Sequence, residues 1–183
     1  MALDVALVVR PVLRTAWAAL GLRAEWPARV DDRFDRLWES ARDAYPVVGR
    51  RDARFVRWRF HEPPTGRCEL VALVDRRASG RPLVAYAALE HEGAVVHLRD
   101  LFGQPSALEP LLDAVIVGLA ARGAAALSFR FLPARRFLTI VDRLGFRARS
   151  AEPGRAVSVE PSSCSGLPEH ADDWWLTDAD EDT

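Results

Sequence analysis

The 183-residue sequence contains no lysine and no asparagine, although 25 of its residues are basic. All 25 are therefore arginines, and alanine, glycine and proline are abundant while isoleucine is scarce. We interpret this bias as the codon usage of a GC-rich genome, most simply a bacterial one. An arginine in this chain is accordingly weak evidence for a phosphate site, even though the guanidinium group suits that role.

Cysteine is also scarce. Cys68 and Cys164 lie far apart, and the sequence has no CxxC, no HExxH and no Cys/His cluster. This pattern argues against a zinc site, so we expect no metal. A single disulfide remains possible on sequence grounds, but nothing indicates a secreted disulfide scaffold.

The sequence lacks an uninterrupted apolar run long enough to cross a membrane, which takes about 20 residues. Residues 3–22 come nearest, but Arg10, Pro11 and Arg14 interrupt them. Their apolar residues recur at helical spacing, and Gly21 follows as a stop, so we predict an amphipathic helix that docks on protein. We expect no membrane partner and a cytoplasmic location.

The charge is unevenly spread. The 49% apolar and 28% charged residues are typical of one soluble globular domain, and the net charge is −1. After Arg155 there are eight acidic residues and no basic one, which leaves 25 basic against 18 acidic residues before it. A basic body with an acidic tail occurs in nucleic-acid-binding proteins. We favour a solvated acidic tail and expect no nucleic-acid partner, because no nucleic-acid motif is present.

The periodicity of apolar residues predicts an α+β protein. Helices are predicted over 31–44, 107–122 and 134–146, the last ending at Gly145 in the stretch FLTIVDRLGF. Residues 52–60 fit a helix or a strand. Strands are predicted over 67–77, 81–92, 94–102 and 125–133, with a strand or hairpin in 147–160, a loop over 161–173 and a possible last strand, WWLT, at 174–177.

The second and third predicted strands form a hairpin with a tight turn at Glu92-Gly93. This turn predicts that Ala88 lies opposite His97 and that Tyr86 lies opposite Arg99, all on one sheet face. Asp100 is then predicted on the other face. A slip of one residue would reverse the two faces.

In this order of elements the chain resembles the GNAT (GCN5-related N-acetyltransferase) superfamily over roughly residues 31–160. The hairpin followed by the helix of 107–122 carries part of the resemblance, and the ending Leu144-Gly145-Phe146 carries the rest. More narrowly, RFDRLWESARDAYPVVGRRDARFVRWRF and the terminal WWLTDADED are similar to the C-terminal half of bacterial tandem-GNAT proteins. The resemblance implies a central mixed, mostly antiparallel sheet flanked by helices. It divides the chain into a connector or helical extension (1–30), a GNAT-like domain (31–160) and a loop with an acidic tail (161–183).

The resemblance also implies a co-substrate, acetyl-CoA or another acyl-CoA, held between two splayed strands and at a helix start. Acyl transfer to an amine further needs a base for the amine and an acid for the leaving thiolate. The base is expected among Asp100, Glu90 and His97, with Asp100 ranked first and Arg99 or Arg130 as its partner if it is paired. The positions that match the family's coenzyme A loop are Leu101, Phe102, Gly103, Gln104, Ser106 and Ala107.

Two departures from the family pattern put the chemistry in doubt. Val141 stands where the family usually has its acidic tyrosine, and we interpret it as a core residue. Pro105 and Pro110 each remove an N–H from the predicted phosphate loop. This stretch fits a helix start better than a phosphate site, either with Ser106 and Glu109 as a capping box or with Pro110 as the proline that begins the helix.

The resemblance and its two departures lead to two functional hypotheses. The first is an acyl-CoA-dependent N-acyltransferase that acts on a small amine such as an amino sugar. The second is a catalytically degenerate GNAT module that serves as a pairing or ligand-binding domain, with a second GNAT domain or another copy of itself as partner. Fold alone does not decide between them.

Overall fold

A mixed, mostly antiparallel β-sheet organises the protein. The computed structural model describes residues 2–6, 20–63, 68–132, 135–148 and 170–180. The strands in these ranges are β1 (Ala2–Ala6), β2 (Leu22–Glu25), β3 (Val47–Val48), β4 (Glu69–Asp75), β5 (Leu83–Glu92), β6 (Val95–Gly103), β7 (Ala126–Leu132), β8 (Arg147–Ala148) and β9 (Trp174–Thr177). The helices are α1 (Arg33–Ala41), α2 (Ala53–Val56, continued by a π turn over Arg57–His61), α3 (Leu108–Ala121) and α4 (Arg135–Arg143).

The main sheet has the strand order β2-β4-β5-β6-β7-β1-β8. Within this order, β6 and β7 run parallel and the other neighbouring strands run antiparallel. Strand β9 pairs antiparallel with β7 and parallel with β3. The α+β class and the mixed, mostly antiparallel sheet predicted from the sequence are therefore confirmed.

Helix α1 and the segment after it build one side of the core. The apolar stripe of α1 is buried, and its Phe34 and Trp38 rings pack against Tyr86 and Phe102 of the sheet. The helix predicted over 31–44 ends in a 3₁₀ turn at Arg42–Ala44. The ambiguous segment 52–60 is helical, because the Asp52 carboxylate caps α2 by accepting the Phe55 N–H at 2.8 Å.

The first thirty residues contribute two strands to the sheet. The helix predicted over 3–22 is wrong at its start, since Ala2–Ala6 forms β1 between β7 and β8. Residues 7–19 lie outside the described residues, and Gly21 lies in the turn before β2 with φ +78°. Of the strand or hairpin predicted over 147–160, Arg147–Ala148 forms β8, and residues 149–160 are outside the described ranges.

Helix α4 ends as its sequence predicts. Gly145 has φ +85°, a left-handed conformation that glycine adopts without strain. The Phe146 N–H donates to the Val141 carbonyl at 3.0 Å and the Gly145 N–H to the Asp142 carbonyl at 2.9 Å, which together form a Schellman motif. Val141 is 3% exposed, so its predicted role in the core is confirmed.

No helix in the described ranges has the length and apolar character needed to span a membrane.

Candidate functional site

A β-bulge in β6 sets the geometry of the site. Glu92 pairs with Val95 and Leu89 with Leu98, but the next pair joins Ala88 to Asp100, so Arg99 is an extra residue. The hairpin register predicted from the sequence is therefore wrong, because the turn lies one residue later, at Gly93-Ala94, and the bulge was not foreseen. His97 lies opposite Glu90 rather than Ala88.

The bulge moves Asp100 to the other face of the sheet. Asp100 pairs with Ala88, so its side chain lies on the same face of the sheet as Tyr86, and not on the other face as predicted. The Tyr86 hydroxyl donates a hydrogen bond to Asp100 Oδ2. The bulge thus brings a carboxylate and a phenol together inside the core, below α1.

Asp100 is fully buried and is held by three side chains. The Arg51 Nε lies 3.0 Å from Asp100 Oδ2, and both side chains are 0% exposed. The Thr177 hydroxyl donates to Asp100 Oδ1 at 2.7 Å. The prediction that Arg99 or Arg130 would pair with Asp100 is wrong, because Arg51 does so. Arg99 instead pairs with Glu90 and Asp178, both at 3.3 Å.

Arg51 links the sheet to the C-terminal segment. Its Nη2 lies 2.6 Å from Asp180 Oδ2, and the same carboxylate oxygen accepts the Thr177 N–H at 2.9 Å. Burial on its own would lower the pKa of Arg51, but the charges of Asp100 and Asp180 outweigh burial and raise that pKa. Arg51 therefore stays charged and neutralises two carboxylates.

Tyr86 stays protonated in this environment. Burial, and then the negative charge of Asp100, raise the pKa of Tyr86 well above its usual value of about 10. A protonated phenol can donate to Asp100, and this is the bond the structure contains.

Strands β6 and β7 separate beside this cluster. Their parallel ladder runs from Val95 and Ala126 to Leu98 and Phe129, where it ends. We call the space between Leu101–Gly103 of β6 and Phe131–Leu132 of β7 the wedge. Strand β9 lies in the wedge, where Thr177 pairs with Phe131 and Leu176 with Leu132.

Side chains cap the β6 carbonyls that face the wedge. The Trp175 indole N–H donates to the Leu101 carbonyl at 2.8 Å, and the Tyr45 hydroxyl donates to the Gly103 carbonyl. The rings of Trp175 and Tyr45 also pack on each other, with centroids 5.2 Å apart. The protein thus provides its own hydrogen-bond donors and its own apolar filling along this strand.

A small cavity remains where the two strands separate. Its empty volume is about 200 Å³, open solvent included. Its apolar walls come from β6, β7 and β9, and are Leu98, Leu101, Phe129 and Trp175. Its polar walls are Asp100, Arg130 and Thr177.

The other two candidate bases lie away from this cavity, near the hairpin turn. Glu90 has a half-exposed side chain and pairs with Arg99. The His97 Nε2 atom lies 3.0 Å from a carboxylate oxygen of Glu92, whose side chain is 82% exposed. The structure does not bring Glu90 and His97 together with Asp100, and the catalytic role of all three stays a prediction.

The start of helix α3 is built for packing. A Cβ on Gly103 would lie 2.4 Å from the Ala85 Cα, so glycine is needed there for the close approach of β5. The Gln104 N–H donates to the Val84 carbonyl at 2.8 Å, and the Ala107 N–H donates to the Gln104 carbonyl at 2.8 Å. Leu101, Phe102 and Ala107, also predicted to bind coenzyme A, are buried.

The capping box predicted from Ser106 to Glu109 is wrong. Helix α3 begins at Leu108 and no side chain caps its start. Glu109 instead pairs with Arg143 of α4 at 2.8 Å. Pro110 lies in the first turn, where a missing N–H costs the helix no hydrogen bond.

Sequence reasoning missed the residues that close the site. Arg51 sits in an arginine-rich stretch and had no feature to separate it from solvated neighbours. Tyr45 and Asp180 likewise gave no local pattern. In the last strand, which the sequence did predict, Trp175 is 2% exposed while Trp174 is half-buried.

No family model matches the chain, and the comparison with curated proteins finds no matching relative. Among solved structures, a GCN5-related N-acetyltransferase from Sphaerobacter thermophilus is similar over 69% of this chain and 40% of its own length, with 13% identity and a TM-score of 0.46. L-PGS from Bacillus licheniformis is similar over 69% of this chain and 45% of its own length, with 11% identity and a TM-score of 0.41. The chain thus spans less than half the length of either protein, and likeness at this level carries no conclusion about activity.

Proposed function

We propose that this chain is a GNAT-like module that pairs or binds rather than one that transfers acyl groups. The observation that carries the proposal is the position of β9 in the wedge, with the Trp175 indole bonded to the Leu101 carbonyl. In the resemblance drawn from the sequence, the wedge is the place for an acyl-CoA chain. Here a strand of the same polypeptide fills it.

The state of Asp100 supports the same proposal. A general base must lie within hydrogen-bond reach of the proton that it removes. Asp100 is 1% exposed, and both of its oxygens accept hydrogen bonds from Tyr86, Arg51 and Thr177. In this environment the carboxylate acts as the centre of a structural ion-pair cluster.

Displacing β9 would be costly. Truncating a buried tryptophan in a core costs about 3–5 kcal/mol, and Trp175 packs against Tyr45 and Phe137. A ligand that had to displace this side chain would lose roughly two to four orders of magnitude in apparent affinity, at about 1.4 kcal/mol for each factor of ten.

The competing candidate is an acyl-CoA-dependent N-acyltransferase acting on a small amine such as an amino sugar. One observation favours it: β6 and β7 do separate after Leu98 and Phe129, as that chemistry would require. For this candidate to hold, β9 must leave the wedge when the co-substrate binds.

A titration with acetyl-CoA distinguishes the two candidates. We expect no change in the thermal unfolding midpoint and no calorimetric heat of binding up to millimolar acetyl-CoA. An acyltransferase with a Kd 100-fold below the ligand concentration would instead be stabilised by about 2.7 kcal/mol. A parallel titration with adenosine diphosphate controls for unspecific binding of adenine nucleotides.

A further inference from the structure

We propose that the wedge is a peptide-binding groove whose partner is the C-terminal segment, residues 170–180, of a second copy of this chain. Copies would then pair by exchanging these segments, each occupying the wedge of the other. This inference deepens the proposed pairing role and rests on it.

The groove recognises the backbone of an extended segment from two sides. Strand β9 pairs antiparallel with β7, through Thr177 and Leu176, and parallel with β3, where Trp174 lies opposite Val47. Adding a strand to available edges is a general way in which proteins bind extended peptides. Without β9, the edges of β3 and of the end of β7 would lack this partner.

The groove also recognises one aromatic side chain. Trp175 is 2% exposed, and its ring lies 5.2 Å from the Tyr45 ring and 5.2 Å from the Phe137 ring. Its indole N–H donates to the Leu101 carbonyl at 2.8 Å. A buried aromatic anchor with a satisfied polar atom is typical of binding hot spots.

A charged contact fixes the register of the segment. Asp180 binds Arg51 at 2.6 Å, five residues after the tryptophan anchor, and Asp178 binds Arg99 at 3.3 Å. The chain after Arg155 carries eight acidic and no basic residues, whereas the preceding residues have an excess of seven positive charges. This complementarity would steer an acidic segment of another copy toward the groove.

The buried charge of Asp100 stays neutralised when residues 170–180 leave the groove. Asp100 retains Arg51 and Tyr86 as partners after Thr177 and Asp180 are removed. The segment is joined to β8 by residues 149–169, a length that can span up to roughly 70 Å at about 3.3–3.6 Å per residue. The connection is therefore long enough to reach the groove of a neighbouring copy.

The first test uses the full chain with Trp175→Ala, which weakens the segment but leaves the groove intact. A fluorescent peptide of residues 170–183 is added, and binding is followed by anisotropy. We expect saturable binding that is at least about tenfold tighter than to the wild-type chain, whose groove is occupied. Peptides carrying Asp180→Asn or Trp175→Ala should bind at least about tenfold more weakly than the wild-type peptide.

A second variant keeps the test decisive. If Trp175→Ala does not fold, the chain with Asp180→Asn replaces it, because the Asp180 side chain is 17% exposed and its substitution weakens the segment at its contact with Arg51. Failure of the peptide to bind any folded variant, or equal binding of all three peptides, would overturn the proposed groove.

The second test is sedimentation equilibrium of the wild-type chain over a range of concentrations. We expect a dimer fraction that rises with concentration and that Trp175→Ala loses. A wild-type chain that stays monomeric throughout would overturn the exchange between copies. Acetyl-CoA is absent from both tests, so their failure leaves the titration proposed above as the separate test of the non-catalytic role.

Discussion

Replacing Arg51 by methionine should strongly destabilise the protein. Arg51 has a fully buried side chain and neutralises Asp100, which is also fully buried. Removing one partner of a buried ion pair typically costs about 3–5 kcal/mol, because the other charge stays buried without compensation. Typical domains have only about 5–15 kcal/mol of stability, so the loss should be large enough to measure by urea unfolding.

Arg50 provides a matched control at the neighbouring position. Its side chain is 74% exposed and pairs with Asp52 at 2.9 Å. Exposed ion pairs contribute at most about 1 kcal/mol, so Arg50→Met should lower the free energy of unfolding by no more than that. The two variants differ in burial rather than in chemistry.

A double variant tests the cause of the loss. Arg51→Met combined with Asp100→Asn removes both buried charges, and it should be more stable than the sum of the two single effects predicts. The reasoning is refuted if Arg51→Met falls within about 1 kcal/mol of Arg50→Met. Strict additivity of the two substitutions would refute the direct coupling of Arg51 to Asp100.

Three further outcomes follow from the structure. Val141→Tyr should destabilise the protein by about 1–3 kcal/mol in urea unfolding, because the site is packed, and it should confer no acetyl-CoA binding in calorimetry. Gly145→Ala should cost about 1–2 kcal/mol from backbone strain alone, since no atom lies within 4 Å of the added Cβ; an unchanged urea midpoint would contradict this. Because the pKa of Tyr86 is raised on folding, its contribution to the free energy of unfolding is complete below about pH 10 and is lost as the pH rises further. The urea midpoint should therefore fall more between about pH 9 and 11 in the wild type than in Tyr86→Phe.

The sequence predicted the elements whose determinants are local. The end of α4 needs only Gly145 and an apolar residue after it, and the strand Trp174–Thr177 needs only a short run of strand-forming residues after a loop. Both are read from a few adjacent residues, and both are confirmed.

The parts that failed depend on distant contacts. Both hairpin registers satisfy the alternation of β5 and β6, so nothing local indicated that Arg99 bulges and turns Asp100 toward Tyr86. Arg51 forms ion pairs with Asp100 and Asp180, which are distant in sequence. Nothing in the sequence distinguished this buried arginine from the 24 others. No local sequence pattern therefore predicted that β9 would occupy the wedge.

Hydrogen–deuterium exchange tests most directly whether β9 closes the wedge. The backbone of residues 174–177 should exchange as slowly as that of β6 and β7, because its first two residues pair with β3 and its last two pair with β7. Millimolar acetyl-CoA should leave the exchange of all three strands unchanged. Rapid exchange of residues 174–177 in the free protein, or altered protection of β6 and β7 on adding acetyl-CoA, would contradict the account.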